Sequence, residues 1–158
     1  MTLHTIDPVW DENSKVLILG SFPSVKSREE GFFYGHKQNR FWRVLASVCC
    51  CPVPENIQDK KKMLLSNNIA VWDVIHSCDI VGSSDSSIKN VVPNDIADIV
   101  QKSDIERIFT NGKKADELYK KYIEQTVGIS AECLPSTSPA NAVWTLEKLC
   151  EEWKIIQK

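Results

Sequence analysis

Two polar, aromatic-rich segments near the N-terminus carry side chains suited to holding a flat, polar ring. The first is the turn Gly20–Ser24 (GSFPS), and the second is the loop from Gly31 to Trp42 (GFFYGHKQNRFW). Polar groups are costly to bury without partners, and large aromatic rings are seldom left idle in water. We therefore expect these segments to form the floor and wall of a binding site.

A third polar segment, Pro135–Asn141 (PSTSPAN), lies near the C-terminus. Ser138 is a typical N-cap residue and Pro139 a typical first residue of a helix, so we expect a helix to begin here. Hydroxyls and free amides at a helix start suit a phosphate of a nucleic-acid backbone. The alternative is a well-capped helix that binds nothing.

The turn Gly20–Ser24 does not have the composition of a nucleotide-cofactor site. Rossmann and P-loop turns need several glycines, whereas this turn has one glycine and a rigid proline. Pro23 fixes the turn, so the backbone groups of Ser21 and Phe22 can point at the edge of a ligand. The alternative is a doubly wound fold that binds a nucleotide cofactor.

Strand-length apolar runs alternate with helical patterns along the chain. Strands are predicted at Val16–Leu19, Ile69–Ile75, Ile105–Thr110 and Ile129–Leu134, and helices at Phe41–Val48, Glu55–Asn67, Asn94 or Asp95 to Lys102, Lys113–Gln125 and Asn141–Ile156. This order predicts a three-layer α/β/α sandwich with a central, mainly parallel four-stranded sheet. The polar loops that follow the strands should then share one edge of the sheet, where ligands bind in such folds.

Composition predicts one soluble domain over residues 1–158, with 42% apolar residues and a net charge of −2. No apolar run is long enough to span a membrane, and we expect a cytoplasmic protein. The six cysteines contain no C-x-x-C pair, so free thiols are expected; an iron–sulfur cluster is the alternative. Basic residues gather at Lys60–Lys62 and around the Gly31–Trp42 loop, which is compatible with phosphate contact.

Taken in order, the turn GSFPS, the stretch YGHKQNRFW and the loop LPSTSPAN resemble the uracil-DNA glycosylase superfamily. They look most similar to its hypoxanthine-DNA glycosylase branch, and mismatch-specific uracil/thymine glycosylases are near relatives. The resemblance implies a monofunctional enzyme that flips a deaminated base out of DNA and hydrolyses its N-glycosidic bond, and hypoxanthine from deoxyinosine is the expected base. It implies DNA containing a damaged base as partner, no membrane, no metal or cofactor, and a monomer.

The resemblance also implies roles for individual residues. Phe22 stands where other branches carry an Asp or Asn that positions water, so Asn39 becomes the implied catalytic residue, although it could also cap the following helix. Tyr34 is the implied stacking residue for the flipped base. The remaining base-binding candidates are Ser21, Phe22, Gly35 and His36. The DNA-binding candidates are Ser24, Lys37, Arg40, Ser136, Thr137, Ser138, Pro139 and Asn141. Family members often insert an apolar side chain of the last loop into the duplex, and Pro139 and Ala140 are the candidates for that wedge here.

Two alternative functions stay open at this point, and so do the roles of three further residues. The same scaffold could excise uracil from G·U mispairs, or it could bind lesions without catalysis, because Phe22 cannot handle water. Asp73, Ser77 and Asp85 follow the second predicted strand and could read the edge of the base or serve as capping or buried residues.

Overall fold

The computed structural model describes residues 1–157. The strands are β1 (Thr2–Leu3), β2 (Val16–Gly20), β3 (Ile69–Asp73), β4 (Ile75–Asp79), β5 (Lys89–Pro93), β6 (Arg107–Asn111) and β7 (Ala131–Leu134). The α-helices are α1 (Val25–Glu30), α2 (Phe41–Val48), α3 (Ile57–Ser66), α4 (Ile96–Gln101), α5 (Lys113–Tyr122), α6 (Glu124–Val127) and α7 (Leu146–Trp153), and 3-10 turns lie at Asp85–Ser87 and Lys154–Gln157.

The predicted parallel sheet is confirmed, with strand order β3-β2-β6-β7. Strand β2 is buried along its whole length and sends alternate side chains to opposite faces. Ile18 packs in a cluster with residues of α2, α3 and α7, whereas Leu17 and Leu19 pack with residues of α4 and α5. Both faces of the sheet are therefore covered, and the three-layer α/β/α architecture is also confirmed.

The predicted strand Ile69–Ile75 is wrong in one respect. The strand ends at Asp73, the chain bends at Val74, and β4 leaves the parallel sheet. The Val74 and Ile75 amides donate to the carbonyls of Gly20 and Ser21, in the turn after β2. From there β4 pairs antiparallel with β1 and β5 in a second, three-stranded sheet. The segment from His76 to Asp79, predicted as a polar loop, is thus a strand.

The last helix begins at Leu146, capped by Thr145, and not at Asn141 as predicted. Ser138 and Pro139 lie in turns, so neither starts a helix. The carbonyls of Ser138 and Asn141 accept hydrogen bonds from the Arg40 guanidinium, which holds this segment in its turn conformation. The expected phosphate site at a helix start is therefore absent from this loop.

Helix α1 was not predicted, because its six residues, VKSREE, carry no apolar stripe. Its ends nevertheless carry standard signals. The Ser24 side chain accepts from the Ser27 amide at the N-terminus, and Gly31 closes the C-terminus with φ 74°. Within residues 1–157, no helix has the length and apolar character needed to cross a membrane.

Trp153 supports both the core and the loop that leads into Pro135–Asn141. Its ring is fully buried with its edge on Phe41, and its Nε1 donates to the Pro135 carbonyl over 3.0 Å. We predict that Trp153→Phe lowers the free energy of unfolding by about 1–3 kcal/mol, because the carbonyl loses its donor and a small cavity opens. Chemical denaturation measures this change. Val53→Ala, at a half-exposed side chain, is the control and should change stability by less than about 0.5 kcal/mol; equal effects of the two variants would contradict the role of Trp153.

Candidate active site

A pocket opens at the carboxyl edge of the parallel sheet, as the sequence predicted for its polar loops. The turn after β2, the loop before α2 and the segment Pro135–Asn141 form its walls. The structure brings eight of the predicted site residues to this pocket: Ser21, Phe22, Ser24, Tyr34, Asn39, Ser136, Thr137 and Ser138. It adds Gly20, Pro23, Ser27, Phe33, Ser83 and Asn111. Asp73 and Asp85, for which the sequence allows either base reading or a capping or buried role, also line the pocket.

Thr137 lies at the centre of a hydrogen-bond network that joins three walls of the pocket. Its hydroxyl donates to Asn39 Oδ1 over 2.9 Å and accepts from Asn111 Nδ2 over 3.1 Å. Its backbone amide donates to Asn111 Oδ1 over 3.1 Å, and its own side chain is fully buried. The donors and acceptors are matched throughout, so the orientation of each side-chain amide follows from the network.

The network fixes which end of the Asn39 amide is available to a ligand. Besides the Thr137 hydroxyl, Asn39 Oδ1 accepts from the Phe41 amide over 2.9 Å, which caps the start of α2. A carbonyl oxygen accepts two hydrogen bonds well, so its capacity is filled. Among residues 1–157, none accepts from Asn39 Nδ2 in the observed hydrogen bonds. Asn39 therefore offers the pocket a donor and not an acceptor.

Asp73 lies on the pocket floor, at the end of β3. Its Oδ2 pairs with His4 Nε2 over 2.8 Å, and both side chains are buried. Its Oδ1 lies so close to Gly20 that a Cβ added there would approach within 2.4 Å. Gly20 is thus required for this close approach, and the floor presents a carboxylate oxygen to the pocket.

Tyr34 forms part of the pocket wall in an uncommon backbone conformation, with φ 53°. One face of its ring stacks on Phe41 at a centroid distance of 3.9 Å, so only the opposite face is available to a ligand. Its hydroxyl is buried and makes no hydrogen bond of good geometry to residues 1–157. Burial, and then the charge of Asp73, raise the pKa of Tyr34, whereas the Asn111 side chain lowers it. Tyr34 is therefore a neutral phenol at physiological pH.

Phe22 completes the wall as an apolar surface. It meets the His4 ring edge-on at 5.9 Å, and the Arg28 guanidinium lies 5.5 Å from its ring centroid. The same guanidinium donates to the Gly82 carbonyl, so Arg28 braces the pocket rim instead of facing solvent freely.

Several predicted site residues lie away from the pocket. Gly35 donates its amide to Ser27 Oγ, and a Cβ there would collide with Glu30. His36 accepts from the Gln38 amide through Nδ1, and it lines a separate shallow hollow together with Lys37. His36 thus organises the loop, and Gly35, His36 and Lys37 do not line the pocket.

Arg40, predicted to contact phosphate, instead has its guanidinium occupied by backbone carbonyls. Its guanidinium donates to the carbonyls of Ser138, Asn141 and Trp144, across the segment that precedes α7. Arg40 therefore holds the shape of the Pro135–Asn141 segment. Of the remaining DNA-binding candidates, Asn141 lines a neighbouring groove, whereas Pro139 lines neither that groove nor the pocket.

The neighbouring groove continues from the pocket, with which it shares Ser21, Asp85, Asn111, Ser136 and Ser138. It adds Lys113 and Lys114, at the start of α5, and these are cations that sequence analysis did not assign. The sequence contained a signal for these two lysines, because they and Gly112 follow directly after β6, at the same edge of the sheet as the other polar loops.

The Lys60–Lys62 cluster lies on the aromatic core and not at the pocket. Lys60 Nζ is 5.1 Å from the Trp42 ring centroid, and Lys61 Nζ is 5.8 Å from that of Phe32. The six cysteines are free thiols. Among residues 1–157, no three His, Cys, Asp or Glu side chains come together as a metal site.

Comparison with known proteins agrees with this geometry. The sequence model of the uracil DNA glycosylase superfamily matches residues 8–158. The chain belongs to that superfamily. It is 34% identical over 154 residues to the hypoxanthine DNA glycosylase of Methanosarcina acetivorans, covering 94% of this chain and 93% of the relative. It is also 34% identical over 136 residues to the hypoxanthine DNA glycosylase of Methanosarcina barkeri, covering 85% of each.

A solution NMR structure from Methanosarcina acetivorans, provisionally assigned as a uracil DNA glycosylase, has the same fold with a TM-score of 0.80. That chain is 30% identical, and the match covers 97% of both chains. The protein is a DNA glycosylase, an enzyme that acts on damaged DNA by hydrolysing an N-glycosidic bond, as the sequence motifs predicted.

The Thr137 hydroxyl offers a test of how strongly this glycosylase depends on the network. We predict that Thr137→Val, which keeps the shape of the side chain, reduces base release about 10- to 100-fold, because Asn39 loses its fixed orientation. Stability should fall by about 1–3 kcal/mol, since buried amide groups lose partners. Single-turnover assays and denaturation curves measure the two effects.

The control for this prediction is Thr145→Ala, which removes the N-cap of α7 outside the pocket. It should cost about 1 kcal/mol of stability and leave the rate of base release unchanged. If Thr137→Val lost stability to a similar extent and kept its full rate, the network would be structural only.

Proposed function

We propose that this glycosylase releases hypoxanthine from deoxyinosine in DNA and leaves an abasic site. The observation that carries the proposal is the polarity of the pocket, which has the Asp73 carboxylate on its floor and the Asn39 Nδ2 donor on its wall. Two relatives that align over most of the chain are named hypoxanthine DNA glycosylases, which supports the same substrate.

The floor carboxylate separates hypoxanthine from adenine, the base from which it arises. Hypoxanthine carries a hydrogen on N1 and an oxygen on C6, whereas adenine has a bare N1 and an amino group. Asp73 Oδ1 can accept the N1 hydrogen of hypoxanthine, but it faces the lone pair of adenine N1 unfavourably. A mismatch of this kind at a buried polar group costs about 1–3 kcal/mol, which disfavours the undamaged base.

Tyr34 and Phe22 supply the apolar surfaces that a flipped purine needs. The free face of Tyr34 can stack on the base, and stacking contributes about 1–3 kcal/mol per base. Because the other face of Tyr34 rests on Phe41, the ring is held in place before the base arrives. The binding energy of the base is therefore available to offset the cost of flipping it from the duplex.

Asn39 acts on the departing base in this proposal. When the glycosidic bond breaks, its electron pair moves onto the base, which becomes more negative. The Asn39 Nδ2 group then donates a stronger hydrogen bond to the transition state than to the bound nucleotide, which lowers the barrier. An amide does not take up a proton at neutral pH, so Asn39 is not a general base here.

The groove beside the pocket suits the DNA strand that flanks the flipped nucleotide. Lys113 and Lys114 can contact phosphates there, and Ser136 and Ser138 line both the groove and the pocket. Val143, at the groove, is 82% exposed and is a better candidate for an apolar wedge than the half-buried Pro139.

Uracil is the second candidate substrate, because its N3 hydrogen and O4 present the same donor and acceptor to the pocket. We predict that, with duplexes containing one deoxyinosine, one G·U pair, one G·T pair or only normal bases, the enzyme generates alkali-labile sites mainly in the deoxyinosine duplex. Turnover should exceed one site per enzyme. Cleavage restricted to the G·U duplex would replace hypoxanthine with uracil as the substrate, and binding without turnover would indicate a lesion-binding module.

Two substitutions of Asn39 test its role as a donor. Asn39→Asp keeps an oxygen to accept from the Phe41 amide but removes the Nδ2 donor, so we predict a loss of about 10²–10³-fold in the rate of base release with stability nearly unchanged. Asn39→Ala removes the cap as well and should lose the rate together with about 1 kcal/mol of stability. Single-turnover kinetics and thermal melting distinguish the two variants. A full rate in Asn39→Asp would exclude donation by Nδ2 as the catalytic contribution.

A further inference from the structure

Hydrolysis of a glycosidic bond needs an acceptor beside the sugar as well as a donor beside the base. The sugar becomes positively charged in the transition state, and the attacking water must be oriented and must lose a proton. Phe22 has no polar side-chain atom, and the oxygen of Asn39 is already occupied by the Phe41 amide and the Thr137 hydroxyl. Neither residue can serve as this acceptor.

The two carboxylates that line the pocket, Asp73 and Asp85, are placed at different depths. Asp73 is buried on the floor and held by His4. In a purine, N1 and the glycosidic N9 lie at opposite ends of the ring system. A base that meets Asp73 through N1 therefore has its glycosidic bond at the mouth of the pocket, away from Asp73.

Asp85 is the carboxylate at that mouth. It starts the 3-10 turn Asp85–Ser87 and lies at the junction of the pocket with the groove that holds Lys113 and Lys114. The Ser21 hydroxyl points to Asp85 Oδ1 from the facing turn, at a distance of 3.5 Å.

The segment that carries Asp85 is braced against α1. The Val25 amide donates to Ser83 Oγ over 2.9 Å, and the Arg28 guanidinium donates to the Gly82 carbonyl over 2.6 Å. Within the segment, the Ser87 hydroxyl donates to the Ser84 carbonyl over 2.7 Å. These contacts give an otherwise exposed residue a defined position relative to the pocket.

We propose that Asp85 is a catalytic residue of this glycosylase, whose carboxylate orients the attacking water and stabilises the positive charge on the deoxyribose. This inference rests on the proposed function for the depth at which the base binds. It assigns water activation to a residue outside the three motifs that identify the superfamily.

The step balances without any further reactant. The water oxygen forms a bond to C1′ while the bond between C1′ and N9 breaks, and the electron pair of that bond goes to the base. The proton of the water passes to the Asp85 carboxylate and from there to solvent. The departing base anion takes up one proton from solvent, so the products are the free base and an abasic sugar.

The local electrostatics fit this role. The pocket walls remove part of the hydration of Asp85 and raise the pKa of its carboxyl, whereas the Ser21 hydroxyl and the Lys114 charge lower it. A carboxylate with a raised pKa is a better proton acceptor than an ordinary aspartate, and the opposing contacts keep it available in the charged form.

The test is Asp85→Asn, with Asp104→Asn as the matched control. Asp104 is an exposed aspartate just before β6, at the opposite edge of the sheet, so the control makes the same change in charge away from the pocket. We expect Asp85→Asn to reduce the single-turnover rate about 100-fold or more. Its affinity for the lesion duplex should stay equal or increase, and its melting temperature should match the wild type. Asp104→Asn should keep the wild-type rate.

The outcomes separate this inference from the proposed substrate. If the wild type releases hypoxanthine and Asp85→Asn keeps its rate, or loses rate only through weaker DNA binding, the catalytic role of Asp85 is overturned. If the wild type releases uracil instead, the proposed substrate fails. In that case the catalytic role of Asp85 is still supported if Asp85→Asn loses rate while it binds DNA normally. The role is overturned if Asp85→Asn keeps the wild-type rate.

Discussion

The hydrogen bonds of Thr137 join three walls of the active site and fix their relative positions. One buried side chain joins the loop before α2, the end of β6 and the Pro135–Asn141 segment, through Asn39 and Asn111. Each segment comes from a different part of the chain, and both the loop before α2 and the Pro135–Asn141 segment lie outside helices and strands. Because each donor in the network meets one acceptor, the arrangement also decides that Asn39 faces the pocket with its nitrogen.

That orientation separates the chemical tasks of the pocket. Once Asn39 is a donor and Phe22 is an apolar wall, the charged acceptors that line the pocket are the carboxylates of Asp73 and Asp85. Their different depths match the two ends of a purine nucleotide, with the base edge below and the sugar above. In the mechanism proposed here, a donor that stabilises the leaving base and an acceptor that holds water on the sugar must flank the same bond, and Asn39 and Asp85 are the residues placed to do so.

The layered fold and the location of the site were predictable from sequence, because buried strands and the polar loops after them have a strong local signal. The second sheet was not, since β1 has two residues and the bend at Val74 depends on hydrogen bonds to the turn after β2. The true start of the last helix escaped prediction for a similar reason. Ser138 and Pro139 form an ideal local start signal, but the distant Arg40 guanidinium holds that segment in turns.

Tertiary contacts of the same kind explain which site residues could be named in advance. Tyr34, Asn39 and the serines of the pocket could be named from the motifs. The orientation of the Asn39 amide could not, because it depends on the Phe41 amide and on the Thr137 hydroxyl, 98 positions away. Local charge was the least informative signal. Arg40 and Lys60 looked like phosphate contacts, yet one holds backbone carbonyls and the other lies on the Trp42 ring.

The use of these cations for structure has a consequence for how the enzyme holds DNA. Arg28 and Arg40, which lie beside the site, donate to backbone carbonyls of the protein's own loops, so these two cations are not free for phosphates. Phosphate contacts contribute affinity that does not depend on sequence or damage. With Arg28 and Arg40 committed in this way, the phosphate contacts of the proposed binding mode fall to Lys113 and Lys114, and the part of the binding free energy that depends on damage comes from the flipped base. In the proposed binding mode, selectivity for damage follows from the same pocket that performs the chemistry, because the Asp73 carboxylate meets a hydrogen on N1 of hypoxanthine but a lone pair on N1 of adenine.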